Sequence, residues 1–372
     1  MNPESVSGPA SVVLPPAEMH PINPCRGPTL PLLVSAGPVE IANAVARLAR
    51  GELVAFPTET VYGLGADATN AHAVARVFAA KGRPANNPLI VHVSGVPMAR
   101  TAALWTPLAD RLAHAFWPGP LTLVLPKSGT IPDIVTAGGP NVALRCPSHP
   151  ITLALIETLG RPIVGPSANP SGRVSPTTAQ HVLDSFAQTI EVLDGGPCQG
   201  GIESTVVSLA GTPMILRPGL VGAAELAAAA GVPVLSAANL VHHSADAAPS
   251  PGMLSQHYAP RASAFMMGPE HRAVVTSMLA RPGLRPVAAL FLDAPDLPAP
   301  HTTIRMPSMP AEYAAALYAS LRQADAMDVA AILVERVPVG GDTIWTAVSD
   351  RLQRATATFS AEAFEASLRS HH

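Results

Sequence analysis

The chain is a succession of short apolar runs separated by Gly, Pro and Asn. Between Pro38 and Arg50, Ile41, Val45 and Leu48 recur at helical spacing. Pro38 suits a first helical turn and Gly51 a C-terminal stop, so this stretch is predicted to be a helix. Glu52–Phe56 follows as a short strand, Asn70 can cap a helix running to about Ala80, and the β-branched run Leu89–Val93 is predicted to be a buried strand. Helices are expected at Pro107–Phe116, Pro150–Leu159 and Pro176–Phe186. Strands are expected at Leu121–Leu125, Val142–Leu144, Pro162–Val164, Ile190–Leu193 and Thr205–Leu209. Such a mixture makes residues 36–222 an α/β domain. Residues 1–35 carry recurrent prolines without helical or strand period, and are expected to be an extension with little packed structure. Residues 223–262, a poly-alanine stretch followed by Ser, His, Asp and Pro, are expected to be a linker. From 263 to 372, strands at Ala262–Met266, Val287–Leu292, Thr302–Met306 and Val329–Val334 alternate with helices at Glu270–Leu279, Ala311–Ala324 and Asp342–Ala355, the pattern of a smaller doubly wound α/β unit.

Composition narrows the function classes. The charge sum, 23 − 26 = −3, supplies no global basic field to gather nucleic acid. Charged residues are 13% and aromatics 4%, against 48% hydrophobic, which is a packed protein and not a disordered one. No uninterrupted apolar run reaches the roughly 18 residues of a membrane span. No secretory signal is visible, and Cys25, Cys146 and Cys198 form neither a disulfide framework nor a metal knuckle, so a cytoplasmic, reducing location is expected.

Five polar segments attach to predicted strand ends. Phe56-Pro57-Thr58-Glu59-Thr60-Val61-Tyr62-Gly63-Leu64-Gly65-Ala66-Asp67 is dense in hydroxyls. Its loose dinucleotide fingerprint is rejected, because it starts too far from the strand and no acidic residue follows about 20 positions on. Lys81-Gly82-Arg83-Pro84 places two cations where a loop can aim them at one anion, a solvated surface pair being the alternative. His92 ends the strand after Asn87, and is either a core histidine or a ligand contact. Arg145 ends the strand opened by Asn141 and needs an anionic partner, from substrate or from protein. Gly165-Pro166-Ser167-Ala168-Asn169, continuing to Ser175, can present polar groups and backbone N–H to phosphate or ribose. Glu203-Ser204-Thr205-Val206 and Leu216-Arg217-Pro218-Gly219 complete the set. Lys81, Arg83, Arg145 and Arg217 together match the charge of a nucleotide triphosphate, which would be bound in one nucleotide-sized hollow with a metal ion. No Walker-type phosphate loop, kinase signature, serine-hydrolase elbow or zinc spacing is present.

In this order the segments resemble the YrdC-like family of threonylcarbamoyl-AMP synthases. Ser255-Gln256-His257-Tyr258-Ala259-Pro260 and the last α/β unit resemble its longer, two-domain form. The resemblance spans about residues 36–358. It implies a twisted mixed sheet with flanking helices around a cationic cavity. It also implies the reaction: L-threonine, bicarbonate or CO2, and ATP with Mg²⁺ give L-threonylcarbamoyladenylate and pyrophosphate, for modification of the adenosine next to the anticodon in tRNAs. Carried over residue by residue, Thr60, His92, Arg145 and Ser204 surround threonine. Lys81, Arg83, Asn87, Asn141, Ser167, Asn169, Ser175, Arg217 and Tyr258 contact ATP, with Lys81 and Arg83 as the catalytic clamps and Tyr258 reaching back over the nucleotide. No protein ligand to the metal is implied. Expected partners are tRNA and the enzymes that transfer the threonylcarbamoyl group, without any membrane. An RNA-binding module lacking adenylate formation, and a carbamoyl-transfer domain with another acceptor, are the alternative readings.

Overall fold

The computed structural model describes residues 33–236, 258–293, 296–338 and 340–369. The first strand, β1 (Leu33–Ser35), is followed by helix α1 (Pro38–Ala49), which opens on Pro38 and ends where Gly51 takes positive φ. Next come β2 (Val54–Phe56), β3 (Gly63–Asp67) and α2 (Ala71–Lys81). The Asn70 side chain caps α2 by accepting from the amides of His72 and Ala73. β4 (Ile90–His92), α3 (Val96–Ala102), α4 (Pro107–Phe116), β5 (Leu121–Pro126), β6 (Asn141–Arg145), α5 (Pro150–Leu159) and β7 (Ile163–Val164) follow. After them the chain forms α6 (Ala179–Ser185), β8 (Glu191–Asp194), β9 (Thr205–Ser208), β10 (Met214–Arg217), α7 (Ala223–Ala230) and β11 (Leu235–Ser236).

These eleven strands form one mixed sheet in the order β1-β8-β2-β3-β7-β4-β6-β5-β9-β10-β11. Its central strands are apolar on both faces, as a sheet covered on both sides requires. The strand ends therefore carry the polar residues. β4 and β6 run parallel with His92 opposite Arg145, so both side chains emerge at one edge of the sheet.

Three expectations are corrected here. The 1–35 stretch contains β1, paired in parallel with β8, because Leu33-Val34-Ser35 offers backbone to an otherwise unpaired edge. Residues 1–32 lie outside the described part. The polar segment after Phe56 is not one long loop. Gly63–Asp67 returns antiparallel to β2, with Phe56 opposite Gly63, and leaves residues 57–62 as a tight connection. A side chain at Gly63 would collide with the Phe56 ring, which explains a glycine-bearing strand that propensity does not suggest. The expected linker holds α7 and β11, the latter paired with β10. Residues 237–257, including the first half of the Ser255–Pro260 segment, lie outside the described part.

The C-terminal unit is a five-stranded parallel sheet. β12 (Ser263–Met267), α8 (Arg272–Leu279), β13 (Val287–Phe291), β14 (Thr302–Arg305), α9 (Pro310–Asp325), β15 (Ala331–Glu335), α10 (Thr343–Ala355), β16 (Ala357–Thr358) and α11 (Ala361–Arg369) succeed one another. The strand order is β14-β13-β15-β12-β16. Strand residues alternate between two apolar layers: Phe265, Ala289 and Leu333 pack with α8 and α11, while Ala264, Leu290 and Ile332 pack with α9 and α10. The second layer also takes in Val61, Val174, Ile202 and Tyr258, so the α9–α10 face shares one core with the polar end of the large sheet. The described residues all fall within a single compact unit.

Candidate active site

The 57–62 connection is shaped by its own hydroxyls. Thr58 Oγ1 donates to the carbonyl of Val61 at 2.6 Å and accepts from the amides of Thr60 and Val61. This turn projects Thr60 to the end of β6, where the Arg145 guanidinium donates to Thr60 Oγ1 at 2.9 Å and to the carbonyl of Gly119 at 3.3 Å. The third nitrogen of Arg145 lies 2.7 Å from a carboxylate oxygen of Glu59. Arg145 is thus buried against an internal acid, the protein-side partner that its position at a strand end demands.

Lys81, the last residue of α2, is buried. Its ammonium donates to the carbonyl of Ser167 at 2.6 Å and to that of Asn169, drawing the 166–170 segment onto the helix end. Burial, reinforced by the Arg83 charge, holds this lysine well below its usual range. Arg83 is fixed by Asn87, donating to its side-chain oxygen at 2.6 Å and its carbonyl at 3.0 Å, and to the carbonyl of Pro88 at 2.7 Å. Burial lowers Arg83 to about 10. Arg217, from the end of β10, donates to the carbonyl of Ser204 at 3.0 Å and to its hydroxyl at 3.2 Å, and Ser204 shares a hydrogen bond with Thr122.

These groups meet. Thr60, Arg83, His92, Arg145, Ser167, Glu203 and Arg217 line one recess, and Lys81 grips the carbonyl of Ser167 in its wall. In the recess, Nδ1 of His92 has no hydrogen-bond partner among the described residues, and neither do Nδ2 of Asn87, beside Arg83, or Oδ1 of Asn169, beside Lys81. Orphaned buried groups of this kind mark a place for a polar ligand. Burial, followed by the Arg145 charge, keeps His92 neutral, so its unpartnered ring nitrogen can serve as an acceptor or a donor. Tyr258, at positive φ, stacks on Tyr318 with ring centroids 5.5 Å apart, and it lies within electrostatic reach of Arg83 and Arg217.

Two differences from expectation stand out. The recess has a volume of about 50 Å³, far below nucleotide size, because the cations draw in the protein's own acceptors: Glu59 on Arg145, carbonyls on Lys81. Asn141 is not brought to it. It opens β6, opposite Pro126, four residues and roughly 13 Å from Arg145. Ser175 is held at one remove, donating to Glu203 at 2.7 Å. Glu59 and Glu203 lie within the sequence motifs, yet sequence reasoning assigns them no role. It misses Arg351 altogether, a helix residue that only tertiary structure brings to Glu203 at 3.0 Å. The signal available is scarcity, since buried charges in so uncharged a chain need partners.

The Sua5–YciO–YrdC family, described as "Telomere recombination", matches residues 46–219, and a "Threonylcarbamoyl-AMP synthase, C-terminal domain" matches residues 221–357. A threonylcarbamoyl-AMP synthase of Pyrococcus abyssi is 41% identical over 328 residues, covering 85% of this chain and 94% of that protein. One from Bacillus subtilis is 46% identical over 233 residues, covering 62% and 67%. The crystal structure of P. abyssi Sua5 complexed with L-threonine superposes with a TM-score of 0.79 at 39% identity, over 88% of this chain and 98% of that one. With both segments matched in register and the fold shared nearly end to end, the chain belongs to the family of two-domain threonylcarbamoyl-AMP synthases.

Proposed function

We propose that this chain, an enzyme of the nucleotidyltransferase class, makes L-threonylcarbamoyladenylate and pyrophosphate from L-threonine, bicarbonate or CO2, and ATP, supplying the activated group for threonylcarbamoylation of tRNA. The observation that carries this reading is the convergence of Arg83, Arg145 and Arg217, with Lys81 in the wall, on one recess that also holds the unpartnered Nδ1 of His92.

The chemistry asks little covalent help from protein. The threonine amine adds to CO2 and loses a proton, giving a carbamate. A carbamate oxygen attacks the α-phosphorus, and the bond to pyrophosphate breaks. The protein's task is to hold two anions together and stabilise the leaving one. Arg145, with Thr60 beside it, takes the amino-acid carboxylate once Glu59 yields its place, and His92 and Ser204 border the same subsite. Lys81, Arg83 and Arg217 take the phosphates, and Asn87, Ser167, Asn169, Ser175 and Tyr258 complete the nucleotide's surroundings. Phosphate oxygens beside Lys81 would raise the pKa that burial depresses. Asn141 contributes only if the adenine end of the nucleotide extends along β6. Magnesium would enter bound to the phosphates of ATP.

An RNA-binding role without catalysis is disfavoured, because the cations are buried in a recess and form no exposed stripe. No described helix is long and apolar enough to cross a membrane. We place the enzyme in the cytoplasm, upstream of a tRNA threonylcarbamoyl-transfer enzyme.

Pyrophosphate release should require threonine, bicarbonate and ATP together. Lys81→Ala and Arg83→Ala should each lower it by about a hundredfold or more while leaving thermal melting cooperative. Release without threonine, or wild-type rates in both variants, overturns the assignment.

A further inference from the structure

The recess wall includes one carboxylate that opposes its purpose. Glu203 stands among Arg83, Arg145 and Arg217, where a triphosphate must be accepted. A negative charge there repels phosphate and competes for Arg217. The C-terminal unit brings a countercharge. Arg351, on α10, is fully buried, with Nε 3.0 Å from Glu203 Oε2. Its other nitrogens donate to the carbonyl of Glu203 at 3.2 Å and to that of Pro218 at 2.7 Å, the residues preceding Ser204 and following Arg217. Tyr318, from α9, donates to the same carboxylate oxygen at 2.9 Å, and Ser175 to the other at 2.7 Å. The Arg351 guanidinium also lies 5.7 Å from the centre of the Tyr258 ring.

We propose that Arg351 is a positioning residue of the nucleotide site, the countercharge that keeps Glu203 from opposing the phosphates, so that the catalytic recess is electrostatically complete only with the C-terminal unit in place. This rests on the reading of the recess as the ATP site. Acting through Glu203, Arg351 touches no substrate. Its effect falls on the side of the recess lined by Glu203 and Arg217, and not on the Arg145–Thr60 side that receives the amino acid.

The test measures binding of MgATP alone and of L-threonine alone to the full-length protein by calorimetry. Arg351→Met, which removes the charge and keeps bulk, should weaken MgATP binding about tenfold or more and threonine binding less than about threefold. Adding Glu203→Gln to Arg351→Met should return MgATP affinity to within about threefold of wild type. A purely structural role predicts equal loss of both ligands and no such recovery. If Arg351→Met does not fold, Arg351→Lys, which keeps the charge but loses the fork, decides. It should keep MgATP affinity within about threefold of wild type with threonine unmoved, and a larger loss of MgATP affinity overturns the proposal. So do equal losses of both ligands, or a double variant no better than the single. Wild-type pyrophosphate release is measured alongside. If it fails to require threonine, the functional reading fails on its own. If it does require threonine and the ligand selectivity is absent, only the Arg351 proposal fails.

Discussion

Arg145 is a guanidinium whose three nitrogens already face a carbonyl, a hydroxyl and a carboxylate. Glu59 holds the arginine side chain in place, and an incoming carboxylate has to compete with it. The competing acid is tethered by one further contact, accepting from the amide of Ser148 at 3.1 Å, so it can retain that bond when it leaves the arginine. Arg145→Ala removes the receiver and strands Glu59. It should raise the KM for threonine about tenfold or more while moving the KM for ATP less than threefold, as the two ligands meet different cations. Steady-state kinetics with each substrate varied in turn checks this, and an unchanged threonine KM removes Arg145 from the carboxylate role.

At the scale of elements, the approach of α9 to the large sheet depends on one backbone. Gly201 has φ of +69°, and a Cβ there would land on the carbonyl of Ala314 and the Cα of Ala315. Gly201→Ala is therefore strained in its backbone and crowded by a helix that cannot give locally. It should destabilise the protein by about 1–3 kcal/mol, read as a lowered melting temperature. A melting temperature equal to wild type would show that α9 can withdraw without cost. The helices and strands with strong period are legible in the sequence alone. Pro38, Asn70 and the apolar β4 and β5 announce themselves through caps and continuous burial. β3 is not legible, because Gly63 and Gly65 are required by their fit under Phe56, a tertiary reason that propensity cannot carry. Nor is α7 as part of the large unit, since an alanine run packs anywhere. The cations of the site can be read from their places at strand and helix ends. Their internal partners cannot: Glu59 lies 86 positions from Arg145, and Glu203 is 148 from Arg351.

For the whole molecule, acid is the natural stress. His181 sits where α6 meets α9, and burial, with the neighbouring Arg322, lowers it to about 4 against the opposing pull of Asp184. His92 is likewise held well below its ordinary value by burial and Arg145. Between pH 6.5 and about 4, the unfolded chain binds protons at these rings that the native protein refuses. Stability is therefore full above pH 6.5 and declines as pH falls through that window. Thermal melts from pH 7 to 4.5 should show the decline, and His181→Gln should flatten it. An unaltered slope in that variant would assign the acid sensitivity elsewhere.

The apolar layer that α9 and α10 share with Val61, Val174 and Ile202 has a practical corollary for anyone dissecting the protein. Cutting the polypeptide after Gly222 would not liberate a tidy catalytic half. It would uncover a greasy surface, orphan a buried carboxylate, and yield a fragment prone to stick to itself before its chemistry could be assayed.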